Sequence, residues 1–268
     1  KNRPFALQLW SQLRERGYTG QLVLAGATPP HGNTLDEEAA WLAAHPELAS
    51  EVVGLGSTSE AEKAWLAAHP VIRIGVDPNY APYAFVDSRG QFAGVAAEIT
   101  EIVRQRLGIR LELVRGLSWP QILEAARKRE LDVITTAAHR PEREQYLVFT
   151  RNYLQTPLVV MTRTQTPQLR DVQQLARQRV ALVKGYSSTG LVRERVPAID
   201  TRLVNTPLDG LFALSQGGVD AYVGVLGINT YLAARNGIAN LEVNALFDVT
   251  NGQAYGVRKD WPELANIL

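Results

Sequence analysis

The chain has 268 residues, of which 46% are hydrophobic, 21% charged and 7% aromatic, a globular profile that excludes a disordered or collagenous chain. Lys and Arg number 28 against 27 Asp and Glu, and a net charge of +1 argues against a general electrostatic binder of nucleic acid. The absence of Cys excludes disulfides, thiolate zinc sites, Cys-ligated iron–sulfur clusters and a Cys nucleophile, but leaves the compartment open.

No run of 18 apolar residues occurs. The opening Lys1-Asn2-Arg3-Pro4 is not followed by the apolar core of a signal peptide, so a mature product or part of something larger is expected. Residues 1–70 are rich in Ala, Glu and Leu. There, Phe5, Leu9 and Leu13, with Ala6 and Trp10 beside them, predict a helix over 4–16 that Gly17 stops. A strand follows over 21–25, then a loop through Pro29 and Pro30. A Thr34-x-x-Glu37 capping box opens a helix to Ala44, and Pro46 opens another short one. The heptapeptide Ala40-Trp41-Leu42-Ala43-Ala44-His45-Pro46 recurs 24 residues later, from Ala64 to Pro70. Two copies are too few for a solenoid, and the plainer reading is two helix ends with a shared Trp anchor. Residues 57–69 read as a linker.

From residue 71 the pattern is regular. Strands over 71–76, 111–114, 132–135, 158–161, 180–183, 202–204 and 221–225 alternate with helices over 94–108, 119–129, 188–196, 208–217 and 229–236. Such alternation predicts an α/β protein with mostly parallel sheets. Ile99, Ile102, Val103 and Leu107 are expected on the inward face of the first of these helices. Residues 150–157 lack a helical period and suit a crossing between two sheets, which makes two lobes with a ligand cleft between them.

No Gly-x-Ser-x-Gly elbow, His-Glu-x-x-His pair or Walker A sequence occurs, and His31, His45, His69 and His139 are scattered. Neither a metal site nor a cofactor is therefore expected. The remaining features are those of binding. Asp77, Tyr80, Tyr83 and Phe85 follow a strand, at the carboxyl end where open α/β sheets hold ligands. The alternative makes Tyr83 and Phe85 core and Tyr80 a surface turn residue. Thr135 to Arg143 leaves another strand and supplies hydroxyls, amides and two guanidiniums, an anion-binding inventory. The alternative there is a surface pair of Arg143 with Glu142 or Glu144. Gly185-Tyr186-Ser187-Ser188-Thr189-Gly190 could cradle the same anion from the opposite side, although ordinary N-caps use the same residues.

Collinear stretches carry a family resemblance. They are Ile72 to Asp77 with Tyr80-Ala81-Pro82-Tyr83, Gly90 to Gly94, Ser118-Trp119, Glu130 to Ile134, Pro141-Glu142-Arg143, Leu147 to Thr150, Gly218 to Tyr222 and Tyr255 to Leu264. The chain resembles the bacterial extracellular solute-binding proteins of family 3, which have the type 2 periplasmic-binding-protein fold. Among them it is most similar to the Venus-flytrap sensor domains of BvgS-like and EvgS-like histidine kinases. The resemblance implies a two-lobed α/β Venus flytrap with two crossing strands, preceded by a mostly helical N-terminal segment. Lobe 1 is expected over 70–155 and 251–268, lobe 2 over 156–250, and residues 1–69 stay unassigned, a linker or the end of a preceding domain. The crossings fall near Gln155-Thr156-Pro157 and Asn251-Gly252-Gln253. In the family further helices follow the stretch matching Lys259 to Leu264, so lobe 1 is expected to continue past Leu268.

By matched position, Arg143 grips a ligand carboxylate and the Gly185-Tyr186-Ser187 loop caps it from lobe 2. Tyr80 and Trp119 sandwich the ligand side chain, with Tyr83 beside them, and Asp77 reaches a polar end. Thr136, Ala138 and Val225 complete the expected lining. Two positions depart from the amino-acid binders: Ala138 lacks the hydroxyl, and Val225 stands where they place an Asp for the ligand ammonium. An ammonium buried without an acid is costly. A small organic acid is therefore expected in preference to a plain α-amino acid, and an empty, constitutively closed sensor is an alternative.

The resemblance implies a non-enzymatic periplasmic sensor domain of an inner-membrane receptor. Its expected partners are a small anionic metabolite and a membrane-anchored or downstream kinase or cyclase module, with no nucleic acid; a dimer is compatible with it. One alternative is a free amino-acid or organic-acid binding protein of an ABC transporter. Another is an enzyme similar to periplasmic cyclohexadienyl dehydratase, with Asp77 as the acid.

Overall fold

The computed structural model of the chain describes residues 3–16, 22–25, 40–49, 52–55 and 58–268. They fall into two compact units, Lys1–Ala64 and Trp65–Leu268. In the first unit, helix α1 (Arg3–Glu15) matches the expected span and buries Leu7 and Trp10. Strand β1 (Leu22–Ala25) pairs in parallel with β2 (Val52–Leu55), and the short helix α2 (Pro46–Ala49) starts at the expected Pro. Gly54 interrupts the apolar run of β2, which leaves that strand without a sequence signal. Residues 40–44 are helical, while the Thr34–Glu37 capping box lies outside the described residues.

The expected linker over 57–69 is instead mostly helix, α3 (Glu60–Ala68). Ser59 sets its start, exchanging bonds with Glu62 through both backbone N–H groups. The repeated heptapeptide explains its end. His69 Nδ1 lies 2.9 Å from the Trp65 carbonyl, and its ring stacks on the indole with centroids 3.9 Å apart. His45 does the same to Trp41, at 2.9 Å and 4.3 Å. A carbonyl only accepts, so Nδ1 carries the proton in both. Each copy is thus a helix stop: His caps the last turn and Pro forbids another. Trp65 and His69 also pack edge-on against Trp261, which ties Trp65–His69 to the second unit.

The second unit is built on one continuous sheet. Its lobe 1 part holds β3 (Val71–Gly75), β7 (Arg110–Leu113) and β8 (Val133–Ala137), with β3 between the other two and parallel to both. Its lobe 2 part holds β11 (Arg179–Val183), β12 (Asp200–Val204) and β13 (Ala221–Val225), likewise parallel around β11. Two long antiparallel strands, β10 (Leu154–Arg163) and β14 (Leu241–Arg258), join the halves. They pair Gln155 with Gly252 and Thr156 with Asn251, at the expected crossings. β14 then passes from β10 to β8 and to the short β9 (Leu147–Phe149). A separate small sheet, β4 (Asn79–Tyr80), β5 (Ala84–Val86) and β6 (Phe92–Ala93), lies after β3. β8 and β13 are buried along their whole length, as central strands covered on both faces must be.

Helix α4 (Val95–Leu107) lies between Gly94 and the left-handed C-cap Gly108. Its buried residues are Ala96 and Thr100, and Ile102, expected inward, is 52% exposed. Six residues past Ala96, at roughly 100° each, Ile102 has turned to the far side. Helix α5 (Trp119–Arg127) starts at the expected Ser118, whose N–H donates to the Gln121 side chain. Helices α6 (Ser187–Arg195), α7 (Pro207–Ser215) and α8 (Leu226–Arg235) follow the strands of lobe 2, and α9 (Pro262–Ile267) closes the chain. α7 has a full capping box between Thr206 and Asp209, with Pro207 in its first turn. Thr206→Ala should therefore cost about 1 kcal/mol, read as a lower urea midpoint with an unchanged slope.

Candidate functional site

The strand ends of both lobes face one another across the crossing strands. From lobe 1, the turn after β3 delivers Asp77, which is 3% exposed. Asp77 Oδ1 accepts the Asn79 N–H at 2.9 Å, fixing the turn, and Oδ2 accepts the Tyr186 hydroxyl at 2.5 Å from lobe 2. Burial pushes the Asp77 carboxyl up to about 6, and the Tyr186 and Asn79 bonds oppose that rise. Tyr80, on β4, is buried and is core to the cleft rather than a surface turn residue. Burial holds its hydroxyl well above the ordinary tyrosine range.

Trp119 enters from the start of α5 and donates Nε1–H to the Gly185 carbonyl at 2.8 Å. Arg143 is 4% exposed, so the surface pairing with Glu142 or Glu144 does not hold. Its guanidinium donates to the carbonyls of Ala138, at 2.8 Å, and Gly185, at 3.1 Å, and lies over the Trp119 ring. Burial lowers its pKa.

Asp77, Tyr80, Trp119, Thr136, Ala138, Arg143, Tyr186 and Ser187 line one cavity of about 20 Å³. The three other expected residues do not line it. Gly185 contributes its carbonyl, and Val225 ends β13 as the residue before α8. Tyr83 packs where a side chain on Gly227 of lobe 2 would stand. The loop hydroxyls, read as an anion cradle, are engaged with the protein: Ser187 Oγ donates to Asn251 Oδ1 at 2.8 Å and Thr189 Oγ1 to the Val183 carbonyl at 2.6 Å. Asn251 and Gln253 also line the cavity and were missed as site residues. Both are polar residues at the second predicted crossing, the one signal that could have marked them. Asn251 ties the floor together, its carbonyl accepting the Thr156 hydroxyl at 2.6 Å.

A cavity of about 20 Å³ has room for one water. With the lobes in this arrangement the cleft is filled by the chain's own groups. At the rim Arg140 of lobe 1 adds an ion pair with Glu194 on α6. A larger groove of about 410 Å³ opens between the β5 turn and the α7 and α8 helices, and of the residues read as binding features only Phe85 lines it. The small cavity, where a buried cation, a buried acid and three aromatic rings converge, is the better site. Among the described residues no cluster of three His, Asp or Glu side chains could hold a metal ion, and no helix is long and apolar enough to cross a membrane.

Comparison with known proteins places this arrangement. The family model described as bacterial extracellular solute-binding proteins, family 3, matches residues 72–268. The virulence sensor protein BvgS of Bordetella pertussis is 25% identical over 199 residues, 74% of this chain and 16% of that relative. The chain thus spans about a sixth of the length of the curated relatives it first matches. Among solved structures, a histidine kinase sensor domain with similarity to periplasmic binding proteins superposes with a TM-score of 0.69 at 26% identity, covering 74% of this chain and 86% of that one. A double mutant of the BvgS VFT2 domain of Bordetella pertussis gives 0.70 at 25% identity, covering 78% and 90%.

Proposed function

The chain belongs to the bacterial extracellular solute-binding proteins, family 3, and on that premise we propose that its second unit is the periplasmic ligand-sensing domain of a membrane-bound histidine-kinase receptor. The ligand is a small organic anion, held in the cleft between the lobes on Arg143. One observation carries this reading: Arg143 is 4% exposed, and its described hydrogen-bond partners are carbonyl oxygens, none of them a carboxylate. A buried guanidinium favours a bidentate anion over a neutral acceptor. Val225 offers no charge to a ligand ammonium, which favours an acid over an amino acid. Binding would bias the open and closed arrangements of the lobes, and that bias is the signal.

A thermal-shift series tests this with amino acids, dicarboxylates, aromatic acids and sulfate. An acid at about 100 times its Kd should stabilise the wild type by roughly 2.7 kcal/mol and have no effect on Arg143→Ala. A cationic or neutral ligand whose effect survives in Arg143→Ala would overturn the reading.

A further inference from the structure

The Gly185–Tyr186 segment occupies the cleft in a particular way. The Gly185 carbonyl accepts from both Trp119 Nε1, at 2.8 Å, and Arg143 Nη2, at 3.1 Å. Gly185 has φ +78°, a backbone that favours glycine and turns this carbonyl towards lobe 1. The Tyr186 ring lies edge-on to Tyr80, with centroids 5.8 Å apart, and to Trp119, at 6.1 Å. Its hydroxyl donates to Asp77 at 2.5 Å. An oxygen on the guanidinium, a ring between two aromatic walls and a polar tip on the buried acid are the contacts expected of a ligand. Here lobe 2 supplies all three from two adjacent residues.

We propose that Gly185–Tyr186 is a built-in pseudo-ligand that closes the flytrap, and that Tyr186 selects phenolic compounds as the chemistry able to take its place. The inference rests on the reading of this cleft as the ligand site. Asp77 sets the preference for a phenol: a buried carboxyl needs a donor, and a bare aromatic ring leaves it without one. The elevated carboxyl of Asp77 and the elevated hydroxyl of Tyr186 both fit a dry contact made only when the lobes meet. Arg140 with Glu194, and Tyr83 against Gly227, add cross-lobe contacts at the margins.

Tyr186→Ala removes the ring and hydroxyl and leaves a slot shaped for p-cresol. The chain has no Cys, so a single pair of spin labels at the exposed Arg89 and Asn236, next to Ser88 of lobe 1 and Arg235 of lobe 2 that line the same 410 Å³ groove, reports lobe separation. The Tyr186→Ala protein should show a longer or broader label distance than the parent. p-Cresol should restore the parent distance and raise the melting temperature of the variant while leaving the parent unmoved; toluene should do less. An unchanged distance in the variant, or p-cresol acting equally on both proteins or on neither, overturns the proposal. If Tyr186→Ala does not fold, Tyr186→Phe keeps the ring and loses only the hydroxyl. A broadened label distance then supports the pseudo-ligand and an unchanged one overturns it. The two readings fail separately. Acid binding to the parent without p-cresol rescue removes the pseudo-ligand alone; rescue without any acid response in the parent removes the metabolite sensor alone.

Discussion

Asp132→Ala should destabilise the chain by roughly 3 kcal/mol. Asp132 is 1% exposed and sits where β3, β8 and the end of β14 converge. It accepts the Arg73 backbone N–H at 2.8 Å, Arg73 Nε at 3.0 Å and Nη2 at 2.7 Å, and Arg258 Nη1 at 3.0 Å. Removing the carboxylate leaves a buried N–H and the Arg73 guanidinium without their anion, while Arg258 keeps its bidentate pair with Asp260. Arg73 is 39% exposed and regains water, which keeps the estimate at the lower end for a broken buried pair, while Arg258 at 14% regains little. Burial acts to raise the Asp132 pKa, but the Arg73 and Arg258 bonds outweigh it and hold the group below its ordinary range. The stabilisation is therefore present above the unfolded carboxylate range and is lost as pH falls through the lower folded value. Urea midpoints of the parent and Asp132→Ala at neutral pH measure the effect, and a difference under about 1 kcal/mol would refute it.

Raising the pH from 4 to 7 should cost the folded chain on the order of 2 kcal/mol at Asp77 alone. Its carboxyl stands at about 6 in the fold against an ordinary 3.8, because burial penalises the charged form. The folded chain holds a proton there that the unfolded chain releases near 3.8, so the contribution is full below that value and disappears as pH rises through about 6. Asp220 and Asp260 behave oppositely. Arg179 and Arg258 hold them at about 2, so their contributions fall away only in stronger acid. The two windows do not overlap, which makes Asp77 separable. Melting temperatures from pH 4 to 7 should fall more steeply in the parent than in Asp77→Asn. Parallel curves would remove Asp77 as the cause.

The site was legible where the residues answer to local rules. Asp77 and Tyr80 follow a strand end, Trp119 opens a helix behind Ser118, and Arg143 follows the β8 loop. Their order along the chain, with the family resemblance, was enough to list them. Asn251 and Gln253 lacked such a signal, because they belong to a strand whose own pattern is weak. In lobe 2, β14 exposes Val243 and Leu246 and buries Asn244, which breaks the alternation a reader would look for. β10 imposes the strand by pairing, with register shifts at Pro157/Leu158 and Val160/Met161.

The sequence by itself determined the alternation of strands and helices from residue 71, the end of the helix before Pro46 and the start of the helix at Ser118. Each follows from contacts within a few residues. The helix over 60–68 escaped the linker reading because its signals, Ser59 with Glu62 and the capped end at His69, do not stand out in an Ala-rich stretch. Tertiary structure alone decided what the cleft holds. Tyr186 reaches Asp77 across 109 residues of chain, and Gly185 meets Trp119 across 66. Periodicity and capping are properties of neighbours in sequence, whereas filling a cleft depends on how two lobes meet, and the crossing strands fix that only once the whole sheet has formed.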